Sequence, residues 1–187
     1  MPDTHTEKKY SIFQITINLA LTCLVSGAIL AAAYYITNPI AVEKAKLMEK
    51  QSMQALVPDA DSFKAVGTEG KITEADASGK AVAYIVSVAP KGYGGAIDML
   101  VAVSPDGKVE NFSITSSNET PGLGSRASQP AFMDQFKGKT SDKLSVTKDT
   151  SNKDNIQAMT GATITSKAVT AGVKEAVDEV ASYAGGK

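Results

Sequence analysis

The sequence contains one cysteine, Cys23, and one histidine, His5, among its 187 residues. A structural zinc site or an iron–sulfur cluster takes about four Cys or His ligands, so this chain can hold neither by itself. A disulfide within the chain needs two cysteines and is excluded as well. If the protein handles electrons, their carrier is therefore an organic cofactor or belongs to another protein.

An excess of charge of one sign is also absent. The formal net charge is −1 and the pI is about 5.9. Lysines and arginines are scattered along the chain, and no block of like charges occurs beyond the pair Lys8 and Lys9. A nucleic-acid-binding surface usually shows as a basic patch or stripe. We therefore expect no nucleic-acid partner.

A third absence is local: residues 10–42 include no Asp, Glu, Lys or Arg. Crossing a bilayer takes about 20 apolar residues, so we predict a transmembrane helix over residues 12–37 after a short tail, 1–11. The alternative is a cleaved signal peptide, for which the alanines at 31–33 offer a cleavage site. The apolar part of a signal peptide spans only about 7–15 residues, which favours a retained anchor. A lipoprotein modified at Cys23 is a weaker alternative.

The predicted anchor carries residues that favour contact with other membrane helices. Gly27 and Ala31 lie four apart, a spacing that lets two helices approach closely in lipid. Gln14 and Asn18 are also four apart, and each side chain needs a hydrogen bond inside the bilayer. These features are typical of one component of a larger membrane complex. The lysines on the two sides of the anchor nearly balance, so charge does not decide its orientation.

Beyond the anchor, good helix formers predict a helical stalk over residues 38–57, and Pro58 opens a soluble domain, 58–187. Segments rich in Val and Ile predict three strands. The last two of these strands flank a Pro-Asp-Gly hairpin turn at 105–107. The predicted strands cover residues 81–89, 98–103 and 109–115.

The chain ends in a predicted amphipathic helix, from about Ser166 to Tyr183. Four valines recur at spacings of four, four and three residues and form one apolar stripe. Paired strands followed by a packed helix indicate the α+β class. The stripe consists of Val169, Val173, Val177 and Val180.

Just before this helix lies a hydroxyl-rich segment with one glycine. A loop that enters a helix offers free N–H groups and the positive end of the helix dipole, which suit a phosphate. Gly161 permits a close approach that a Cβ would block. Plain helix capping by Thr165 or Ser166 is the alternative, and both can hold, because one hydroxyl can cap while Thr163 holds a phosphate. The candidate site residues here are Thr160, Gly161, Ala162, Thr163, Thr165 and Ser166.

Two further glycine motifs precede it. In the first, Glu119-Thr120-Pro121-Gly122-Leu123-Gly124, Pro-Gly predicts a type II turn, but the leading Glu-Thr and the second glycine exceed what a turn needs. The second places three glycines around Tyr93 between two strands. Glycines allow a backbone to lie close to a flat ligand, but a flexible loop is the simpler interpretation. The candidate binding residues in these motifs are Glu119, Thr120, Gly122, Leu123 and Gly94.

These three motifs, in their order along the chain, resemble the G subunit of the Rnf complex, an ion-translocating ferredoxin:NAD oxidoreductase of bacterial membranes. The resemblance covers nearly the whole chain. It implies an α+β fold with one N-terminal transmembrane helix followed by a small FMN-binding domain. It also implies that FMN is attached covalently, as a phosphoester on Thr163, by a separate Mg-dependent flavin transferase.

The resemblance further implies an electron relay between the other membrane and peripheral subunits of the complex, without stand-alone catalysis. It implies a single-pass protein of the cell (inner) membrane with a cytoplasmic N-terminus and an extracytoplasmic FMN domain. The chain departs from the family pattern at Gln157, where many members carry an acidic residue, and at Ser117, where many carry histidine. These departures bear on recognition by the transferase and on the surroundings of the flavin.

Two other functions stay open at this point. The related C subunit of the sodium-pumping NADH:quinone reductase shares the flavin motif but usually has a longer chain. A membrane-anchored extracytoplasmic binding or sensor module would use the hydroxyl-rich segment only as a cap and would carry no covalent flavin. A hydrolytic enzyme is a poor third, since His5 precedes the anchor and no nucleophile–base pair is visible.

Overall fold

The structure, a computed structural model, describes residues 11–67 and 71–185. Except for Ser11, the predicted N-terminal tail lies outside the described residues. The chain divides between Met48 and Glu49 into two compact units, a helical N-terminal segment and a domain of mixed helix and strand.

One continuous helix, α1 (Ile12–Leu56), lies where the sequence predicts the anchor and the stalk. Its 45 residues correspond to about 67 Å of helix, more than the roughly 30 Å of hydrocarbon in a bilayer. Within the N-terminal unit the described side chains are exposed, and the helix is long and apolar enough to cross a membrane. This finding is consistent with the predicted anchor.

The C-terminal unit is built on a five-stranded antiparallel sheet in which every strand pairs with its neighbour in sequence. The predicted strands correspond to its last three members, and the turn at 105–107 joins the last two, as expected. Mixed helix and sheet confirm the α+β prediction. The strands are β1 (Ser62–Val66), β2 (Ile72–Ala77), β3 (Lys80–Val88), β4 (Ile97–Val103) and β5 (Val109–Ser117).

Strands β1 and β2 are missing from the sequence-based prediction. Their sequences, Ser-Phe-Lys-Ala-Val and Ile-Thr-Glu-Ala-Asp-Ala, contain residue types that are depleted in strands. The local signal for the second strand is a two-residue turn before β3, where Ser78 and Gly79 both have positive φ (53° and 78°). Such turns match the twist of a hairpin.

Each face of the sheet has its own apolar core. On one face, the helix α3 (Thr163–Gly185) packs its valine stripe against β3 and β4, and all four predicted valines are buried. Burying one such side chain contributes about 1.5–3 kcal/mol. On the other face, Leu56 and Val57 pack with Ala83, Ile85 and Leu100. The end of the predicted stalk is thus part of the domain's core.

Between β5 and α3 the chain forms short elements. This stretch begins with the Glu119–Gly124 motif and ends with the hydroxyl-rich segment. Two helical turns (Gly124–Ser128 and Ser141–Lys143) flank the short helix α2 (Pro130–Met133). The strand β6 (Val146–Thr147) pairs in parallel with β7 (Ile156–Gln157). Phe136 contacts Phe112 and Phe132 edge to face, with ring centroids 5.0 and 5.2 Å apart. This aromatic cluster anchors the connection to the sheet.

Candidate functional site

The helix α3 begins at Thr163, not near Ser166 as predicted. Gly161 has φ +80°, a conformation that favours glycine, and the Ala162 N–H donates to the Met159 carbonyl at 3.0 Å. The first intrahelical bond runs from the Ser166 N–H to the Ala162 carbonyl at 2.9 Å. The amides of residues 163–165 therefore start the helix without a described backbone acceptor, as helix N-termini do.

Because the helix starts early, the interpretation of Thr165 or Ser166 as a cap preceding it is wrong. Both residues lie inside the first turn. The Ser166 hydroxyl accepts from the Met159 N–H at 3.0 Å and donates to the Ala162 carbonyl at 2.9 Å. The Thr165 hydroxyl donates to the carboxylate of Glu119. These hydroxyls hold the helix start against the segments around it and leave Thr163 free for another role.

A cavity of about 500 Å³ opens beside this helix start. It brings together residues from all three motifs, although they are far apart in sequence. Seven of the predicted site residues line it: Glu119, Thr120, Leu123, Gly161, Ala162, Thr163 and Thr165. A volume of this size is ordinary for a site that binds a cofactor.

Four predicted site residues do not line the cavity: Gly94, Gly122, Thr160 and Ser166. Gly122 has φ +75°, and the Leu123 N–H donates to the Thr120 carbonyl at 3.1 Å, as in the predicted type II turn. Gly94 donates its N–H to Glu119 at 2.8 Å. Ser166 is fully buried, whereas Thr160 is exposed.

Three lining residues are absent from the sequence-based site: Tyr93, Gly124 and Ile164. Tyr93, Leu123 and Ile164 are 69%, 44% and 55% exposed. Among the described residues of the C-terminal unit, the exposed large apolar side chains all lie at this cavity. Apolar side chains gathered in one exposed place indicate a binding surface. In sequence, the available signals were an aromatic flanked by glycines and an isoleucine within the hydroxyl-rich segment.

The charge around the cavity is sparse. Glu119 is the only Asp, Glu, Lys or Arg among the described residues that line it. An anion beside Thr163 would therefore be attracted by the amides and dipole of α3 rather than by a lining cation. Arg126 does not line the cavity. Its guanidinium donates to the carbonyls of Leu123 (3.3 Å) and Thr160. It joins the two motifs, a contact that sequence analysis did not predict.

Gln157, one of the two departures from the family pattern, has a structural role. Its side-chain amide donates to the carbonyls of Asp149 (2.7 Å) and Asn152 (2.5 Å). Its backbone N–H donates to Gln135 at 2.7 Å. In the same loop, the Ser151 side chain bonds to Asp149 and holds the pKa of that carboxyl below its usual range. The segment that leads into the hydroxyl-rich segment is thus held by several hydrogen bonds.

The geometry is compatible with a flavin nucleotide. Thr163 is half-buried and lines the cavity, and the unpaired amides at the start of its helix suit a phosphate. The exposed apolar side chains at the other lining positions suit a flat aromatic ring. Consistent with this, residues 92–178 match the FMN-binding domain family, and the match includes every residue that lines the cavity.

Two relatives extend over nearly the whole chain. The G subunit of the proton-translocating ferredoxin:NAD(+) oxidoreductase complex of Clostridium ljungdahlii is 57% identical over 177 residues, which cover 95% of this chain and 96% of the relative. The G subunit of the Na(+)-translocating ferredoxin:NAD(+) oxidoreductase complex of Acetobacterium woodii is 33% identical over 198 residues, covering 92% and 95%.

Solved structures share the fold. NqrC of Shewanella oneidensis matches with a TM-score of 0.51 at 19% identity, over 70% of this chain and 74% of that chain. The C subunit of the Na(+)-translocating NADH-quinone reductase of Parabacteroides distasonis matches with a TM-score of 0.50 at 25% identity, over 60% and 61%. With an FMN-binding domain and 57% identity to a G subunit along almost its full length, the chain belongs to the G-subunit family of ion-translocating ferredoxin:NAD(+) oxidoreductase (Rnf) complexes.

Proposed function

We propose that this chain is an electron-transfer subunit of an ion-translocating ferredoxin:NAD(+) oxidoreductase and carries FMN as a phosphoester on Thr163. The relatives that span the whole chain are subunits of complexes with that name. One observation carries the attachment: Thr163 is the first residue of α3 and lines the cavity. A phosphate on its hydroxyl lies at the helix N-terminus, where anions are stabilised.

The residues around Thr163 have distinct roles in this proposal. The amides of the first turn of α3 would hold the phosphate, and Gly161 and Ala162 would leave room for it. Tyr93, Leu123 and Ile164 would cover the ring and exclude water from part of its surface. When bound, FMN supplies one- and two-electron redox chemistry, and the protein's contribution is binding, orientation and electrostatics.

In this proposal a separate flavin transferase, which uses Mg²⁺ and FAD, attaches the flavin. The Thr163 oxygen bonds to the phosphorus on the flavin side, the phosphoanhydride bond of FAD breaks, and AMP leaves. The hydroxyl proton passes to a base of the transferase.

The proposal also covers location and partners. The helix α1 anchors the chain in the cell membrane, with the N-terminus in the cytoplasm and the FMN domain outside it. Polar and small residues along the helix contact other subunits of the complex. The domain then relays electrons between neighbouring subunits. A covalent bond suits a relay outside the cytoplasm, because a dissociable flavin would be diluted away.

Intact mass spectrometry of the full chain tests the attachment. Produced together with the transferase, the protein should gain the mass of FMN less one water, and produced without it, no such mass. Thr163→Ala should abolish the gain and the ultraviolet fluorescence of the denatured gel band. Thr160→Ala, the matched control, should lose far less, because Thr160 does not line the cavity.

A fluorescent Thr163→Ala band would contradict the assignment. A folded wild-type protein that never gains this mass would instead favour a membrane-anchored binding module.

A further inference from the structure

Glu119 is the residue on which the three sequence motifs converge. Its side chain is buried, with 8% of the residue exposed. One carboxylate oxygen, Oε1, accepts the N–H of Gly94 at 2.8 Å. The other, Oε2, accepts the hydroxyl of Thr165. One side chain therefore joins the loop before β4 to the first turn of α3.

The glycines of two motifs make room for this carboxylate. A Cβ added at Gly92 would lie 2.4 Å from Glu119 Oε1, and one at Gly124 would lie 2.5 Å from Oε2. At Gly94 a Cβ would lie 2.0 Å from the backbone oxygen of Asn118. All three distances are far below van der Waals contact. Gly92 and Gly124 thus leave room for the Glu119 carboxylate, and Gly94 leaves room for the Asn118 backbone beside it.

The two hydrogen bonds restrain the backbone beside two residues that line the cavity. Thr165 follows Thr163 by two residues in the same helical turn, so holding Thr165 restrains the backbone that carries the Thr163 hydroxyl. Gly94 follows Tyr93 directly, so holding the Gly94 amide restrains the backbone that carries the aromatic side chain. Glu119 therefore acts on Thr163 and Tyr93 through other residues.

We propose that Glu119 is a positioning residue that aligns Thr163 for flavin attachment and Tyr93 for contact with the flavin ring. This inference rests on the proposed function, since it assumes that FMN is attached at Thr163. It predicts that the hydrogen bonds of Glu119, rather than its charge, matter for attachment. Misplacement of a reacting group by about 1 Å can slow a reaction about 100-fold.

The attachment rate, measured on the full chain in detergent with purified transferase, FAD and Mg²⁺, separates these roles. Glu119→Ala removes both hydrogen bonds, and we expect attachment to slow by about 100-fold. Glu119→Gln keeps an acceptor for Gly94, and its amide can donate to the Thr165 oxygen, so it should restore most of the rate. Glu119→Asp shortens the side chain by one methylene and should fall between the two.

A second pair of variants tests the same contact from the other side. Thr165→Val keeps the shape and removes the hydroxyl, whereas Thr165→Ser keeps the hydroxyl. We expect Val to slow attachment and Ser to restore it. Combining Thr165→Val with Glu119→Ala should slow attachment less than the product of the two single effects, because both changes remove the same bond. If Glu119→Ala does not fold, the Thr165 pair decides.

Hydrogen exchange of the Gly94 amide in the flavin-free full chain gives a readout independent of attachment. Its protection should fall in Glu119→Ala and persist in Glu119→Gln. Unchanged attachment in a folded Glu119→Ala, or Glu119→Gln as slow as Glu119→Ala, would overturn the proposal. If the wild-type chain takes up no FMN, the proposed function fails, while unchanged Gly94 exchange in Glu119→Ala would separately refute the positioning contact.

Discussion

Two turns of this chain, each with a proline at its second position and a glycine of positive φ, are alike locally. Gly107 and Gly122 have nearly the same positive φ, 77° and 75°. The first turn is closed by the Gly107 N–H, which donates to the Ser104 carbonyl at 2.9 Å. The second is closed by a corresponding bond between the fourth and first residues of the turn, at 3.1 Å. Sequence rules for turns describe both equally well.

The two turns differ in what surrounds them. In the hairpin turn, Asp106 accepts from Ser104 (2.5 Å) and Lys108 (2.6 Å), both two residues away. Beside the second turn, Glu119 accepts from residues 25 and 46 positions away. The first turn therefore only reverses the chain. The second carries a site because long-range contacts hold it against α3.

The largest loss of stability is expected from a substitution at Gly94, where a neighbouring segment leaves the least space for a side chain. In Gly94→Ala the new Cβ would meet the Asn118 backbone oxygen at 2.0 Å, and a backbone group cannot move aside as a flexible side chain can. We expect the free energy of unfolding to fall by about 3 kcal/mol, with loss of the flavin attachment proposed at Thr163. Gly107→Ala, where nothing lies within 4 Å, is the control and should cost about 1–2 kcal/mol through its φ alone. Urea unfolding followed by near-ultraviolet circular dichroism measures both, and equal losses would remove the distinction.

The matched pair Gly122→Ala and Gly107→Ala should show a smaller loss of stability and separates it from an effect on the flavin. Both positions have positive φ and open space, so each change should cost about 1–2 kcal/mol of stability. Only Gly122→Ala disturbs the turn that lines the cavity, and only it should alter the absorbance and reduction potential of the bound flavin. A redox titration checks this. Flavin properties that shift equally in both variants would count against the comparison.

The smallest effect concerns the hairpin turn and pH. Hydrogen bonds from Lys108 and Ser104 lower the pKa of Asp106 to about 2, against about 4 in an unfolded chain. A lowered carboxyl pKa stabilises the fold above about pH 4, and the contribution disappears as the pH falls through about 2. Asp106→Asn should therefore melt at a lower temperature than wild type at pH 7, and the difference should close near pH 2. A difference that stays constant with pH would show that the carboxylate is not responsible.

Several features were predictable because neighbouring residues determine them. The uncharged segment predicted a long apolar helix, the Pro-Asp-Gly sequence predicted the hairpin, and the valine spacing predicted the buried face of α3. The Glu119–Gly124 motif and the hydroxyl-rich segment also indicated residues that meet at one cavity. Polar composition concealed β1 and β2, since a strand can owe its existence to its partner rather than to its own residues.

The candidate site was predictable in part. Hydroxyl-rich sequence indicated the region of Thr163. The helix α3 starts three residues earlier than predicted, so Thr165 and Ser166 lie inside its first turn, where their hydroxyls bond to Glu119 and to the Ala162 carbonyl. Gly94, predicted as a cofactor-binding residue, donates its N–H to Glu119 and does not line the cavity. Tyr93 and Ile164 were missed, since exposure depends on the whole surface.

The sequence by itself determined the long apolar helix, the two turns, the amphipathic terminal helix and the location of the hydroxyl-rich segment, because hydropathy, periodicity and backbone preferences act between near neighbours. Only the tertiary structure decided which of these pieces form a site. Glu119 contacts Gly94 and Thr165 because the fold brings the loop before β4, the second turn and the start of α3 to one place. Contacts between residues so far apart in sequence depend on how the chain packs as a whole.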